Sequence, residues 1–426
     1  MCQASPALSR ENLMNFSRRD FLATAAISSA AVALGSQGDA QSVPPNHDHD
    51  QTLHSHPKPT HPFVPRLPAL LCTQAGTIGI DAAFEMLKQG SDTLDAALHV
   101  TKTQEDDPND YSTGIGGLPN EECEVQLDAC CLHGPTRRSA AVGAVSKIKN
   151  ASLMARAVME RTGYSSLVGL DAQRFAISQG FSKENLTTER TRRMWAVWKK
   201  IQSHPELPGE GIFDPNWPTT FRKTHFLPSS PQDLNQLIRK LEPLAIQVGL
   251  GPQFTWRAIF DALLPVSTPL YVSTVNQKKE ISSAATTSGV PWRLAGTTSD
   301  IAMIGAGCYL DPEVGSAGST GSAEANIKIA GARTIVENMR RGMSPEEAGM
   351  DALHRIVHWY GSDMTALRFV EMVYYILRND GVYAGVSLWR GDRTGNLRQF
   401  TIHDGSRRTE ECKFLFDSNP SNGQAI

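Results

Sequence analysis

Hydroxyl-bearing residues and glycines crowd into one stretch of this chain, residues 265–324. Thr268 lies near its start. Thr286-Thr-Ser-Gly289, Gly296-Thr-Thr-Ser-Asp300 and Gly318-Ser-Thr-Gly321 follow, and Glu324 closes it. Turns of this kind bring backbone N–H groups and hydroxyls close to a small polar ligand. A threonine hydroxyl becomes a useful nucleophile only when a neighbouring base takes its proton. Thr287 reads either as a group that orients such a nucleophile or as half of a cross-strand threonine pair. Thr320-Gly321 reads either as two donors aimed at a developing oxyanion or as a glycine-rich helix N-terminus, which attracts anions by itself.

These residues need elements to hold them. Leu270–Val275 and Ile281–Thr287 read as a β-hairpin around Asn276-Gln-Lys-Lys279. A helix is expected over Ser322–Arg341 and another from Pro345 to Tyr360. Phe369–Arg378 and Val382–Trp389 read as a second hairpin across Asn379-Asp-Gly381. Gln399–His403 and Cys412–Phe416 supply late strands. Ahead of the stretch, Leu70–Thr73, Val125–Ala129 and Ala141–Val145 read as strands. Ile80–Gly90 reads as a helix, Glu105–Asp110 as a loop and Tyr111–Gly117 as a sharp turn. Asn150 is expected to cap a helix Ala151–Thr162 that Gly163 ends, and Asp171–Gln179 is a further helix. Prolines punctuate residues 203–264, with helices expected at Gln232–Val248 and Trp256–Leu264. The mixed order suggests an α+β chain with helices packed on sheets.

The chain has 426 residues, a formal charge of −3 and 40% apolar content. That is a globular composition, with length for one large or two modest domains. Near-neutral charge argues against a nucleic-acid surface, which needs a basic stripe. A small-molecule or peptide substrate fits better. At the N-terminus, Ser17-Arg-Arg-Asp-Phe-Leu22 precedes an apolar run Ala23–Leu34 and a small-residue site Gly38-Asp-Ala40. Residues 1–40 therefore read as a twin-arginine export signal, with a periplasmic or secreted product that has no membrane contact after removal. Residues 41–66 read as a linker. His47, His49, His54, His56 and His61 lie in it with Asp48 and Asp50, as a loose metal tract or, more simply, a disordered spacer.

Seven cysteines show no CxxC pairing, and Cys130-Cys131 are expected to be buried thiols. Ser146-Lys-Ile-Lys149 matches an SxxK pattern without its partner motifs. Gly114-Ile-Gly-Gly117 opens no helix, so it is not a dinucleotide loop. His354 and His358 share a helix face but lack the glutamate of a zinc motif. No cofactor and no metal is expected.

A series of short motifs appears in a telling order. Asp107-Pro-Asn, Gly116-Gly-Leu-Pro-Asn-Glu-Glu122, Leu127-Asp-Ala129, Gly143-Ala-Val, Ile148-Lys-Asn150 and Ala155–Thr162 lead to Thr286-Thr-Ser-Gly289 and Thr320-Gly321. Over residues 70–200 and 265–417 the chain resembles the glycosylasparaginase and isoaspartyl peptidase/L-asparaginase family. The resemblance implies a four-layer αββα sandwich of the N-terminal-nucleophile type. It divides one domain into a large-subunit-like region, 67–267, with a connecting segment 203–267, and a small-subunit-like region, 268–426. It implies self-cleavage before Thr268 and a homodimer of processed protomers.

The resemblance also assigns roles. Thr268 would be the nucleophile, its freed α-amine the base, with a pKa of roughly 7.7–8.0. Thr287 would orient it, and Thr320 with Gly321 would hold the oxyanion. Family members carry Gly-Arg-Val-Gly-Asp where this chain has Gly296-Thr-Thr-Ser-Asp300. The arginine grips a substrate carboxylate and the aspartate an ammonium. Asp300 is thus the implied ammonium partner, and Thr297 stands in the arginine's place. Ser267 stands where an aspartate is usual, Pro269 follows the threonine, and the tryptophan of the family near Gln74 is absent. Two readings remain. One is an exported amidohydrolase acting on asparagine side-chain amides. The other is a catalytically impaired member that binds or is vestigial.

Overall fold

The computed structural model describes residues 65–73, 78–203 and 231–418. The export signal, nearly all of the His-rich linker, Gln74 and residues 204–230 lie outside the described residues.

Thirteen strands among the described residues form two sheets. The strands are β1 Ala69–Thr73, β2 Gln126–His133, β3 Arg138–Ser146, β4 Ser166–Val168, β5 Leu270–Val275, β6 Ile281–Thr287, β7 Cys308–Asp311, β8 Gly315–Gly321, β9 Met372–Arg378, β10 Tyr383–Trp389, β11 Gln399–His403, β12 Arg407–Glu411 and β13 Lys413–Phe416. The eight-stranded sheet runs β12-β11-β1-β5-β6-β2-β3-β4, and the five-stranded sheet β13-β10-β9-β8-β7. Eleven helices accompany them among the described residues. They are α1 Ile80–Lys88, α2 Thr93–Glu105, α3 Ala151–Arg161, α4 Gly169–Ser178, α5 Glu189–Gln202, α6 Pro231–Gln247, α7 Pro252–Leu263, α8 Ala323–Ile329, α9 Gly331–Arg340, α10 Pro345–Trp359 and α11 Met364–Leu367.

Period-two alternation explains the cores. Leu70 and Cys72 of β1 pack with Phe84, Leu98 and Met154 from α1, α2 and α3. Their neighbours Ala69 and Leu71 point the other way and join Val373, Tyr375 and Leu377 of β9. On β9 the alternate residues Met372, Tyr374 and Ile376 meet Ile335 of α9 and Leu353 of α10. Strands with both faces buried are apolar on both faces, which is why these runs read as continuous. A fourth core joins Met194 and Trp198 of α5 to Ile238 of α6, Ile259 of α7 and Trp292. Helices α6 and α7 of the connection therefore pack on an apolar seam shared with α5 and Trp292, and α7 ends a few residues before Thr268.

Several sequence expectations are corrected. The α2 helix is missing from the sequence reading because it has no single apolar stripe: Leu94, Ala97, Thr101, Gln104 and Glu105 are all buried. The region Ser322–Arg341 is two helices, broken at Ala330 in the left-handed conformation (φ 46°). Asn150 sits at the α3 N-cap without a side-chain cap bond; its amide instead donates to Asp106 Oδ1 at 3.0 Å. The strand β12 is all polar, as suits the edge of a sheet. Phe369–Glu371 precede β9 rather than belonging to it.

Candidate active site

The β5–β6 ladder begins with Leu270 opposite Thr286. Pro269 is buried just outside it, and Thr268 is exposed, two residues ahead of the strand. On its other side β6 pairs with β2, with Thr287 opposite Asp128. Thr287 Oγ1 accepts the Gly289 N–H at 2.9 Å. The tie is therefore local to the Thr-Thr-Ser-Gly turn and does not reach Thr268. Ser267, the residue before Thr268, is 6% exposed, and its Oγ is buried without a hydrogen-bond partner among the described residues.

Behind Thr287 lies a buried hydroxyl and carboxyl network. Thr286 Oγ1 donates to Glu105 Oε1 at 2.7 Å and contacts Thr113 Oγ1 at 2.8 Å. Glu105 also accepts Ser152 N–H at 2.9 Å and Ser152 Oγ at 2.8 Å. Burial pushes the Glu105 carboxyl up to about 7, against the bonds from Thr286 and Ser152.

Asp128 anchors the next loop. Its Oδ1 accepts Ala144 N–H at 2.7 Å. Its Oδ2 accepts Arg293 Nη1 at 2.6 Å and Ser299 N–H at 2.8 Å. The extra residue between Val142 and Val145 on β3 makes the first bond, with Ala144 at φ 50°. Arg293 Nη2 donates to the Gln126 carbonyl at 2.7 Å, so Arg293 is a structural tie between this loop and β2. A side chain at Gly289 would collide with its guanidinium. Thr297, in the expected carboxylate position, is half-buried, and its hydroxyl donates to the Leu294 carbonyl at 2.8 Å.

Asp300 and Thr320 are brought together through Ser319. Asp300 Oδ2 accepts Ser319 Oγ at 2.8 Å and Asn326 Nδ2 at 2.6 Å. Asn326 Oδ1 in turn accepts the Tyr374 hydroxyl at 2.7 Å. Burial raises the Asp300 carboxyl above its ordinary range despite these donors. Thr320 Oγ1 lies 3.1 Å from the Tyr375 hydroxyl. Gly321 ends β8 at φ 123°, and a Cβ there would overlap the Glu371 carbonyl oxygen, so this turn requires glycine. Thr320 pairs with Val373 and Gly321 with Met372, which fixes both residues against β9, while β7 pairs no further along β8 than Gly318.

The sequence model of a family described as asparaginase, Asparaginase_2, matches residues 74–211 and 272–367. The chain belongs to the Asparaginase_2 family. An N4-(β-N-acetylglucosaminyl)-L-asparaginase of Elizabethkingia miricola is 28% identical over 398 residues, 93% of this chain and 94% of that protein. A probable isoaspartyl peptidase/L-asparaginase of Arabidopsis thaliana is 26% identical, over 72% of this chain and 82% of its own length. The N4-(β-N-acetylglucosaminyl)-L-asparaginase of Mus musculus is 28% identical, over 69% and 78%.

For this Asparaginase_2 chain, sequence reasoning overlooked Asp128, Glu105, Asn326 and the two tyrosines Tyr374 and Tyr375. One signal was available. A carboxylate inside an apolar strand, as in Gln126-Leu-Asp-Ala-Cys-Cys, is rarely buried without a set of partners. His354 and His358 lie on α10, and no cluster of His, Cys, Asp or Glu able to hold a metal occurs among the described residues.

Proposed function

We propose that this chain is an exported amidohydrolase that hydrolyses asparagine side-chain amides, either N4-glycosyl-asparagine or β-aspartyl peptides, with L-asparagine as a further substrate. In this reading the two sheets and their flanking helices form a four-layer αββα sandwich, and processed protomers pair. The observation that carries the reading is the Thr320–Gly321 turn, a hydroxyl and a backbone N–H held rigidly at a strand end. It lies within one small-residue stretch with an exposed Thr268 at the head of β5.

Hydrolysis of the Ser267–Thr268 peptide bond consumes one water and leaves a Ser267 carboxylate and a free Thr268 amine. That amine takes the proton of Oγ1 as it attacks the substrate amide carbon. The oxyanion is held by Thr320 and the Gly321 N–H. The carbon–nitrogen bond breaks as the amine returns its proton to the leaving group. Water then hydrolyses the threonine ester and releases aspartate. Thr287 orients the nucleophile once the new terminus is free to approach it.

The impaired-member reading is favoured by specific observations. Pro269 lacks the N–H that would anchor the start of β5. Thr287 is tied to Gly289, and Thr297 to Leu294. Intact-mass analysis of purified protein separates the two. Active protein yields a fragment beginning at Thr268 and releases aspartate from β-aspartyl dipeptides, and Thr268→Ala abolishes both. A single uncut chain without activity supports the impaired reading. Turnover that survives in Thr268→Ala assigns the nucleophile elsewhere.

A further inference from the structure

Glu371 stands immediately before β9, beside the Gly321 end of β8. Its carbonyl accepts the Ser322 N–H at 2.7 Å. Its carboxylate meets two arginines from the loop between β10 and β11. Arg393 Nε donates to Oε1 at 3.2 Å, and Arg398 Nη2 donates to Oε2. Arg393 Nη2 also donates to the Phe369 carbonyl at 2.9 Å. Side-chain exposures are 4% for Glu371, 11% for Arg393 and 18% for Arg398. One carboxylate thus serves two largely buried guanidiniums, each with five N–H donors. Burial lowers the Arg393 pKa, and repulsion from Arg398 adds to that, so the two cations are close.

Buried charge is costly unless paired, and removing one partner of a buried pair is worse. Asp392 is a further anion, and it acts on both Arg398 and Arg257. Its Oδ1 is held by Thr394 N–H at 2.8 Å, Thr394 Oγ1 at 2.5 Å and Asn396 N–H at 3.0 Å, which builds the loop that carries the arginines. Arg257 has its own carboxylate, Asp261, at 2.6 Å. Arg398 also acts on the Tyr375 phenol, whose hydroxyl meets Thr320 Oγ1. The cationic pair and the Thr320–Gly321 turn are therefore neighbours.

We propose that Arg393 and Arg398 form an anion subsite that receives a substrate carboxylate other than the group being cleaved. The proposal rests on the reading of Thr320–Gly321 as the reacting end. Two sources share this chemistry: the α-carboxylate of the aspartyl half, and the carboxylate of a leaving amino acid. Glu371 is the positioning residue that holds the two guanidiniums in a fixed fork. Arg293 and Thr297 are engaged elsewhere, whereas this pair is held by Glu371, whose carbonyl abuts Gly321.

Two arms test it on the full purified chain. In the first, calorimetric titration compares L-aspartate with β-alanine, which lacks the α-carboxylate; this arm needs no turnover. In the second, kcat/KM for β-aspartyl-glycine is compared with that for its glycinamide. The expected result is a preference of roughly 10–100-fold for the carboxylate-bearing member of one pair. The arm that shows it names the source. Arg398→Gln should bring that preference within about 3-fold of unity, through KM rather than kcat, and Arg398→Lys should restore part of it. If Arg398→Gln fails to fold, Arg398→Lys decides: it should lower the preference by at least about 3-fold through loss of the planar fork. Equal handling of both members in both wild-type arms overturns the proposal, as does a preference that either variant leaves intact. Loss of turnover with a retained, Arg398-dependent preference for aspartate would sink the catalytic reading and leave the subsite standing.

Discussion

Glu105→Gln should remove one buried carboxyl's share of the stability that the wild type loses as pH rises. Glu105 is fully buried, and burial raises its carboxyl from an ordinary 4.5 to about 7. An unfolded chain gives up this proton near 4.5, while the folded chain keeps it to about 7. Between those values the unfolded state binds fewer protons, so stability falls as pH rises and levels off above about 7. The gap corresponds to about 3 kcal/mol. Glutamine reproduces the protonated form: its carbonyl can accept Thr286 Oγ1 and Ser152 N–H, while its amide donates to Ser152 Oγ. That oxygen already accepts Thr101 Oγ1 at 3.0 Å. Urea unfolding near pH 5 and near pH 8 measures the effect. Part of the gap is already lost at pH 5, so the wild type should lose about 2.5 kcal/mol more than the variant between them, leaving the variant the more stable of the two near pH 8. Equal losses in both proteins, or a flat wild type, would refute the argument that burial dominates the hydrogen bonds at this carboxyl.

Other outcomes follow from the same geometry. Thr320→Val removes a hydroxyl from the proposed oxyanion turn and should lower kcat by about 10²–10³-fold; it also takes a partner from the buried Tyr375 hydroxyl, so urea unfolding should show a loss of about 1–3 kcal/mol. Gly321→Ala drives a methyl group into the Glu371 carbonyl at a positive φ, and should cost roughly 3 kcal/mol or more in urea unfolding. Arg293→Ala leaves Asp128 buried and unpaired, and should destabilise by about 3–5 kcal/mol; the double variant with Asp128→Ala should lose less than the sum of the singles.

Much of the architecture was legible because its signals are local. The β5–β6 hairpin and the Asn379-Asp-Gly381 turn follow from alternation and turn chemistry, and the structure has both within a few residues of the expected limits. The α2 helix was hidden because a helix buried on most sides has no stripe to read. The break at Ala330 depends on tertiary contacts: Asn326 and Tyr374 occupy the space where a Cβ on Gly331 would sit. At the site, the threonines and glycines announce themselves by type and order. Their partners do not. Asp128 with Arg293, and Glu371 with Arg393 and Arg398, are pairs separated by long stretches of chain, and only the fold brings them together. Arg293 illustrates the limit: it stands near Thr297 in sequence, but its guanidinium is held by Asp128 and Gln126, residues more than 160 positions away.

The strand order of the larger sheet carries a consequence for any chain cut ahead of Thr268. Strands β1 to β4 come from before that bond, and β5, β6, β11 and β12 from after it. In space they interleave, with β1 held between β11 and β5 and with β2 beside β6. Neither piece could complete this sheet alone, because each would be left with a strand-wide gap and unpaired edges. A nicked molecule would thus behave as two complementary fragments that fold, purify and denature as one. Separating them would require unfolding, and mixing the separated pieces would be the way to rebuild the protein.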